Sequence, residues 1–386
     1  MSAGRDADGA AVAALARRFT LERIVPRLAE WEERGEVPRA LHREAAQLGL
    51  LGLGYPEHLG GTPAPYALRN ALSVAMSRHG GSGGVMAALF THNIALPPLL
   101  RHGSEALQRE VVPPVLAGER IAALAITEPG GGSDVAALRT RARREGGDWV
   151  VDGEKTFITS GLRADWITLA VRTGEPGARG AGGVSMLVVP GDAPGLERTR
   201  LDKMGWHASD TAHLRFDGVR VPARYLVGEE GAGFPMIMNN FNGERLAMSA
   251  MALGFGEACF DEALAWARER RTFGAPLVER QVIRHRLVDM QVRLHATRAW
   301  LDAVTALVDA GKLESDPDCV AQVCALKVQA TRAMQFCADA AVQTLGGMGF
   351  MRGTRSERIY REVKVMMIGG GSEEIMKDLA ARKWGL

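Results

Sequence analysis

The stretch Leu124-Ala125-Ile126-Thr127-Glu128-Pro129-Gly130-Gly131-Gly132-Ser133-Asp134 divides the chain: sequence of helical character ends before it and sequence of strand character follows. Its apolar start reads as a strand, its three glycines as a turn, and Ser133 with Asp134 as a polar cap. Such a turn exposes backbone N–H groups and hydroxyls able to hold a phosphate or a ring carbonyl. On composition alone, a loop that merely turns fits as well. The glycines do not have the GxGxxG spacing of the dinucleotide fingerprint.

Upstream, from about residue 10 to about 120, apolar residues recur at helical spacing, as in Leu41, Ala45 and Leu48, with breaks at Pro38, Pro56, Gly60 and Gly61. Downstream, Trp149-Val150-Val151 precedes the turn pair Asp152-Gly153, and residues 166–171 and 184–189 are short apolar strands. Turn signals at Gly146-Gly147, Gly191, Gly195 and Asp217-Gly218 fall at the intervals of a sandwich or barrel. From about residue 233 helix returns in three long blocks, reaching about 270, then about 282 to 310, then about 319 to 345. In the second block Leu287, Met290, Leu294, Leu301, Val304 and Val308 make one stripe for a bundle to bury. The order predicts an α+β multi-domain chain: an all-helical domain over 1–120, a β-sandwich or barrel over 121–230, and a four-helix-bundle domain over 231–386.

With 386 residues, 46% hydrophobic and 24% charged, the chain can bury a large core. Its 47 basic and 45 acidic side chains are spread without long like-charge runs, so no nucleic-acid face is expected and the partner is small. Cys259, Cys319, Cys324 and Cys337 show no CxxC spacing and fall in helical stretches, which predicts buried thiols rather than disulfides or a metal site, and hence a cytoplasmic protein. Residues 1–18 mix Arg5, Asp6 and Asp8 among alanines and add Arg17 and Arg18, unlike a signal peptide, and no apolar run is long enough for a bilayer.

The segment Thr127-Glu128-Pro129-Gly130-Gly131-Gly132-Ser133-Asp134 resembles the flavin-binding signature of the acyl-CoA dehydrogenase family. Further segments follow in family order: Gly52-Leu53-Gly54-Tyr55-Pro56-Glu57 with Gly60-Gly61, Lys155-Thr156-Phe157-Ile158-Thr159, Lys203-Met204-Gly205-Trp206, Arg270-Arg271-Thr272-Phe273-Gly274, Gln343-Thr344-Leu345-Gly346-Gly347, and Tyr360-Arg361-Glu362 with Ile368-Gly369-Gly370-Gly371. The resemblance covers nearly the whole chain. It implies FAD as cofactor, lined on one side by Ile126, Thr127, Gly132 and Ser133 and on the other by Phe157, Ile158 and Thr159. Phe157 stands where the family usually carries Trp, which keeps a stacking face and drops the indole donor. Ser372 and Glu374 resemble further flavin-side contacts, and Glu373 a helix-start residue. Arg270, Phe273, Gln281, Gln343, Leu345, Gly346 and Gly347 resemble residues that reach the FAD of a neighbouring subunit, implying at least a dimer, with a homotetramer expected. Without the resemblance, Arg270 and Gly346-Gly347 read as helix-end chemistry.

Oxidising a saturated thioester requires a base for the α proton and an acceptor for the β hydride. In many family members the base lies on the C-terminal loop, in a pattern like Tyr-Glu-Gly-Thr, but this chain has Gly369-Gly370-Gly371-Ser372 there. A branch typified by isovaleryl-CoA and long-chain dehydrogenases carries it instead in a Glu-Arg pair on the first helix of the C-terminal domain. Asn242-Gly243-Glu244-Arg245 matches that pattern, so Glu244 is the expected base. Arg245, with Ser133, Asn242, Gly370 and Gly371, is expected to face the substrate. Met236, Met238, Met366 and Met367 suit either an acyl pocket or core filling. Pro235 replaces an aromatic residue of the isovaleryl branch, and His207 a frequent Arg, which would alter contacts to CoA phosphates.

The resemblance thus implies α,β-dehydrogenation of an acyl-CoA, in fatty or branched-chain acyl metabolism, with electrons passed to an electron-transfer flavoprotein. Two other readings stand beside it: dehydrogenation of an acyl group on a carrier protein, and flavin binding without dehydrogenation, as in the alkylation-response flavoproteins. The near-neutral charge and Glu244 count against the last.

Overall fold

The computed structural model describes residues 2–174 and 180–386. In its N-terminal third, α1 (Ser2–Phe19) packs on α2 (Tyr66–Gly80), and α3 (Glu105–Leu116) precedes the first strand. Trp31, Leu41, Ala45, Leu72 and Met76 from this part share one core with the C-terminal helices.

Strands β1 (Ala122–Ala125), β2 (Arg141–Glu145), β3 (Asp148–Thr159), β4 (Trp166–Arg172), β5 (Val184–Pro190), β6 (Leu196–Arg200), β7 (Thr211–Pro222) and β8 (Leu226–Val227) form one mixed sheet. Their order is β6-β7-β3-β2-β4-β5-β8, with β1 parallel to β4. Strands β2 and β4 meet through the single pair Arg141 and Arg172. The sheet therefore has two halves, whose inner residues (Trp149, Val151, Leu214 and Phe216; Ile167, Leu169, Leu187 and Val189) share a second core.

Two expected turns are corrected. Asp152-Gly153 and Asp217-Gly218 lie inside β3 and β7, beside the register shift between Val151 and Gly153. Asp152 Oδ1 accepts from the Gly218 N–H at 2.8 Å, and Gly153 (φ 142°) presses so closely on Thr140 that a Cβ would meet its Cα at 2.7 Å. Local turn chemistry produces a bulge here because the apolar residues on both sides stay paired and buried.

The C-terminal part contains α4 (Gly233–Glu269), α5 (Gln281–Asp309), α6 (Pro317–Leu345), α7 (Arg355–Ile368) and α8 (Glu373–Trp384). The α5 stripe from Leu287 to Val308 is buried, and all four cysteines are free and buried. Asp316, Thr354 and Ser372 cap α6, α7 and α8 by accepting a backbone N–H from Asp318 (2.9 Å), Glu357 (3.2 Å) and Ile375 (3.4 Å). Helix α4 joins the two cores: Met236 and Ile237 belong to the sheet core, Leu246 and Met248 to the helical one. Residue 244 therefore stands at the seam. Among the described residues, no single helix is long and apolar enough to cross a membrane.

Candidate active site

Glu244 is half-buried on α4, and among the described residues no protein group donates a hydrogen bond to it. Burial raises its carboxyl above the usual carboxylate range, against the opposing charges of Arg245 and Lys327. The loop following α7 comes directly against it: a Cβ on Gly370 would lie 3.5 Å from Glu244 Oε1 and 3.0 Å from Met248 Sδ. Gly370 (φ 67°) and Gly371 (φ 109°) are both left-handed, a conformation glycine adopts without steric cost. Helix α4 and this loop thus address one point in space.

Arg245 is buried, with its Nε on the Gly370 carbonyl (3.0 Å) and one Nη on Asn242 Oδ1 (2.9 Å). Arg245 and Asn242, both expected to face substrate, bond each other here, and Arg245 also holds the loop. Lys327, a residue to which the sequence assigned nothing, reaches the same loop from α6 and donates to the carbonyls of Gly369 and Gly371. Ser372 begins α8, Glu373 pairs with Arg332 and Lys377, and Glu374 is exposed.

The glycine turn lies on the sheet side. Gly130, Gly132 and Ser133 are exposed, Ile126 is buried and Thr127 partly so. The Thr156 N–H donates to the Thr127 carbonyl at 2.8 Å, which ties the turn to the end of β3. Beneath it lies a buried ion pair: Lys155 Nζ donates to Glu128 Oε1 (2.8 Å) and to the Ile126 carbonyl (2.9 Å), and Glu128 also accepts from the N–H groups of Arg139 and Thr140. Burial would raise the Glu128 carboxyl, but Lys155 and these hydrogen bonds outweigh it and hold it low. Burial lowers Lys155 to about 8, so both partners are charged at neutral pH. Phe157 is 70% exposed, with a left-handed φ of 61°. A side chain of this size held outward on an unfavourable backbone calls for a surface to stack on. The open glycine turn beside it, where a Cβ on Gly130 would meet nothing within 4 Å, leaves room for a flat ring system. These residues fit a flavin.

A second exposed set surrounds the end of α4. Phe273 is 99% exposed at φ 50°, on the hairpin of β9 (Arg271–Thr272) and β10 (Ala275–Pro276); Arg270, Gln281, Gln343, Gly346 and Gly347 are exposed as well, whereas Leu345 is buried. Phe350 is 90% exposed nearby in sequence. Of the four methionines considered for an acyl pocket, Met236 and Met366 are core residues and Met238 and Met367 are partly buried.

Two segments that the sequence left without a role meet at the junction of the three parts. Glu362, fully buried, accepts from the Gly83 N–H (2.8 Å) and the Trp206 N–H (3.2 Å). Burial and the neighbouring Glu32 raise its carboxyl to about 7. His207 sits within this junction, its Nε2 at 2.9 Å from the Lys203 carbonyl and its Nδ1 at 3.4 Å from Arg361.

Three family models match: the N-terminal domain of acyl-CoA dehydrogenases over residues 6–119, the middle domain over 123–219 and the C-terminal domain over 231–385. The chain is 36% identical to cyclohexane-1-carbonyl-CoA dehydrogenase of Geobacter metallireducens, over 95% of this chain and 94% of that one. It is 34% identical to the mitochondrial long-chain specific acyl-CoA dehydrogenase of Rattus norvegicus, over 95% and 84%. The fold matches the crystal structure of a probable acyl-CoA dehydrogenase from Mycobacterium abscessus with a TM-score of 0.93, at 49% identity, covering 97% and 98% of the two chains. The chain belongs to the acyl-CoA dehydrogenase family and is an FAD-dependent oxidoreductase.

Proposed function

We propose that this protein removes the α proton and β hydride of an acyl-CoA to give the trans-2-enoyl-CoA, with Glu244 as the base. The observation that carries the reading is the half-buried Glu244 carboxylate, free of protein donors and facing the Gly370 loop. Desolvation makes it a stronger base than a surface carboxylate, and the charges of Arg245 and Lys327 oppose that rise. As the α C–H bond breaks, the proton passes to a Glu244 oxygen and the electron pair forms the new double bond. Bound FAD supplies the acceptor for the hydride.

Ile126, Thr127, Gly132 and Ser133 would hold the flavin on one side and Phe157, Ile158 and Thr159 on the other, with Ser372 and Glu374 near it. The fit rests on the exposed Phe157 ring and the open glycine turn. Arg270, Phe273, Gln281, Gln343, Leu345, Gly346 and Gly347 would reach the cofactor of a second copy in a homotetramer, supported by the exposed Phe273 and Phe350 rings. Ser133, Gly370 and Gly371 would contact the thioester. The electrons would leave to an electron-transfer flavoprotein, and the absence of a suitable membrane-spanning helix among the described residues suits a cytoplasmic enzyme.

Anaerobic titration with straight, branched and aromatic acyl-CoAs, following the flavin absorbance, tests this reading and defines the acyl class. Rapid bleaching by one class supports it. Bleaching by dithionite alone, with no thioester active, would move the carrier-protein reading ahead.

A further inference from the structure

Three consecutive carbonyls, those of Gly369, Gly370 and Gly371, accept hydrogen bonds from two buried cations. In an extended strand successive carbonyls alternate in direction; the left-handed Gly370 and Gly371 let these three be gathered by side chains from two helices. Lys327, 1% exposed, is the one charged residue among the buried residues of its helix, where a methionine would fill the same space without the desolvation of an ammonium. Its retention there needs a local reason. The segment it grips is the wall that faces Glu244, since a Cβ on Gly370 would come within 3.5 Å of that carboxylate.

Building on Glu244 as the base, we propose that Lys327 is a positioning residue for proton abstraction: from α6 it clamps the Gly369–Gly371 turn against Glu244 and sets a positive charge beside the carboxylate. Arg245 completes the clamp from α4 through Gly370. The groups that act on Lys327 are Glu244 and Arg245 on α4 and Cys324 on its own helix, with Lys383 of α8 acting in turn on Cys324. Burial lowers Lys327 to about 8, opposed by Glu244, so the side chain is cationic at neutral pH. Its charge in turn lowers the proton affinity of Glu244.

Position and charge separate in two variants of the FAD-loaded enzyme. Lys327→Met removes both, and the acid limb of the kcat–pH profile should move up by about one unit, with kcat down about tenfold or more. Lys327→Arg keeps the charge but presents a planar group that does not reproduce the ammonium's two bonds. Its acid limb should stay with the parent while kcat falls. Amide exchange across residues 369–372, read by mass spectrometry, should quicken in both variants. An unmoved acid limb in Lys327→Met overturns the charge claim. Parent kcat and parent exchange in Lys327→Arg overturn the clamp, and that result stands even where Lys327→Met does not fold. Glu244→Gln in parallel keeps the two readings apart: parent turnover there removes the base assignment, whereas an inactive Glu244→Gln beside unaffected Lys327 variants removes the clamp alone.

Discussion

A side chain on Gly370 would begin 3.5 Å from Oε1 of Glu244, although one residue lies in the loop after α7 and the other in the first third of α4. One carboxylate fits at that point. A second would meet like-charge repulsion in a partly desolvated place. On the proposed reading, a base could stand on the helix or on the loop at this point, with the glycine at 370 leaving the space to the glutamate at 244.

This relationship predicts a transplant. Glu244→Ala should lower kcat by about 10²–10⁴. Adding Gly370→Glu should recover part of it, measured as kcat in the double variant against the single one. Recovery should be incomplete, because φ at 370 is 67° and Met248 Sδ, 3.0 Å from the new Cβ, must move.

Glu128→Gln should destabilise the fold by about 3–5 kcal/mol, since it leaves the buried Lys155 ammonium without its counter-charge. Denaturant unfolding of parent and variant gives the number. Because the Glu128 carboxyl is held low in the fold, its contribution is present above the ordinary carboxylate pKa and fades as pH falls through its folded value. The gap between the two proteins should therefore narrow in acid. The glycine turn rests on this pair, so flavin retention after gel filtration should fall as well.

Glu362 gives the opposite sign. Its folded pKa of about 7 lies above the unfolded value, so its protonated form is the one the fold favours, and stability is lost as pH rises through about 7. Glu362→Gln should gain in Tm relative to the parent between acid and alkaline buffers; a Tm difference that does not change with pH would contradict this.

Arg270→Ala and Phe273→Ala remove exposed groups, of which the Phe273 ring has the Arg280 guanidinium 5.9 Å from its centroid. Each should leave the unfolding transition of the subunit nearly unchanged while lowering FAD content and the assembly mass seen by light scattering. Full FAD occupancy at the parent mass would remove the subunit-bridging role.

The order of helical, β and helical parts was legible because apolar period is a local property: the α5 stripe from Leu287 to Val308 is buried as its spacing requires. Asp152-Gly153 shows the limit. The same two residues make a turn or a bulge, and the pairing of Val150 with Arg220 and of Lys155 with Leu214 decides which. A motif singled out Glu244 as the expected base, but its setting against the Gly370 loop could not be read from the sequence. Lys327 reads in sequence as an ordinary helical lysine, and the loop carbonyls it binds lie beyond two helix ends. Lys155 with Glu128, and Glu362 with the Trp206 N–H, likewise acquire meaning only when distant segments meet.

The central claim is that Glu244 removes the α proton, and a single anaerobic turnover of Glu244→Gln tests it most directly. Purified with FAD, parent and variant are mixed with the acyl-CoA that bleaches the parent fastest, and the flavin absorbance is followed in a stopped-flow instrument. The account predicts that the variant keeps its FAD and its unfolding transition while bleaching at least about a hundredfold more slowly. Bleaching at the parent rate would place the base elsewhere and contradict it.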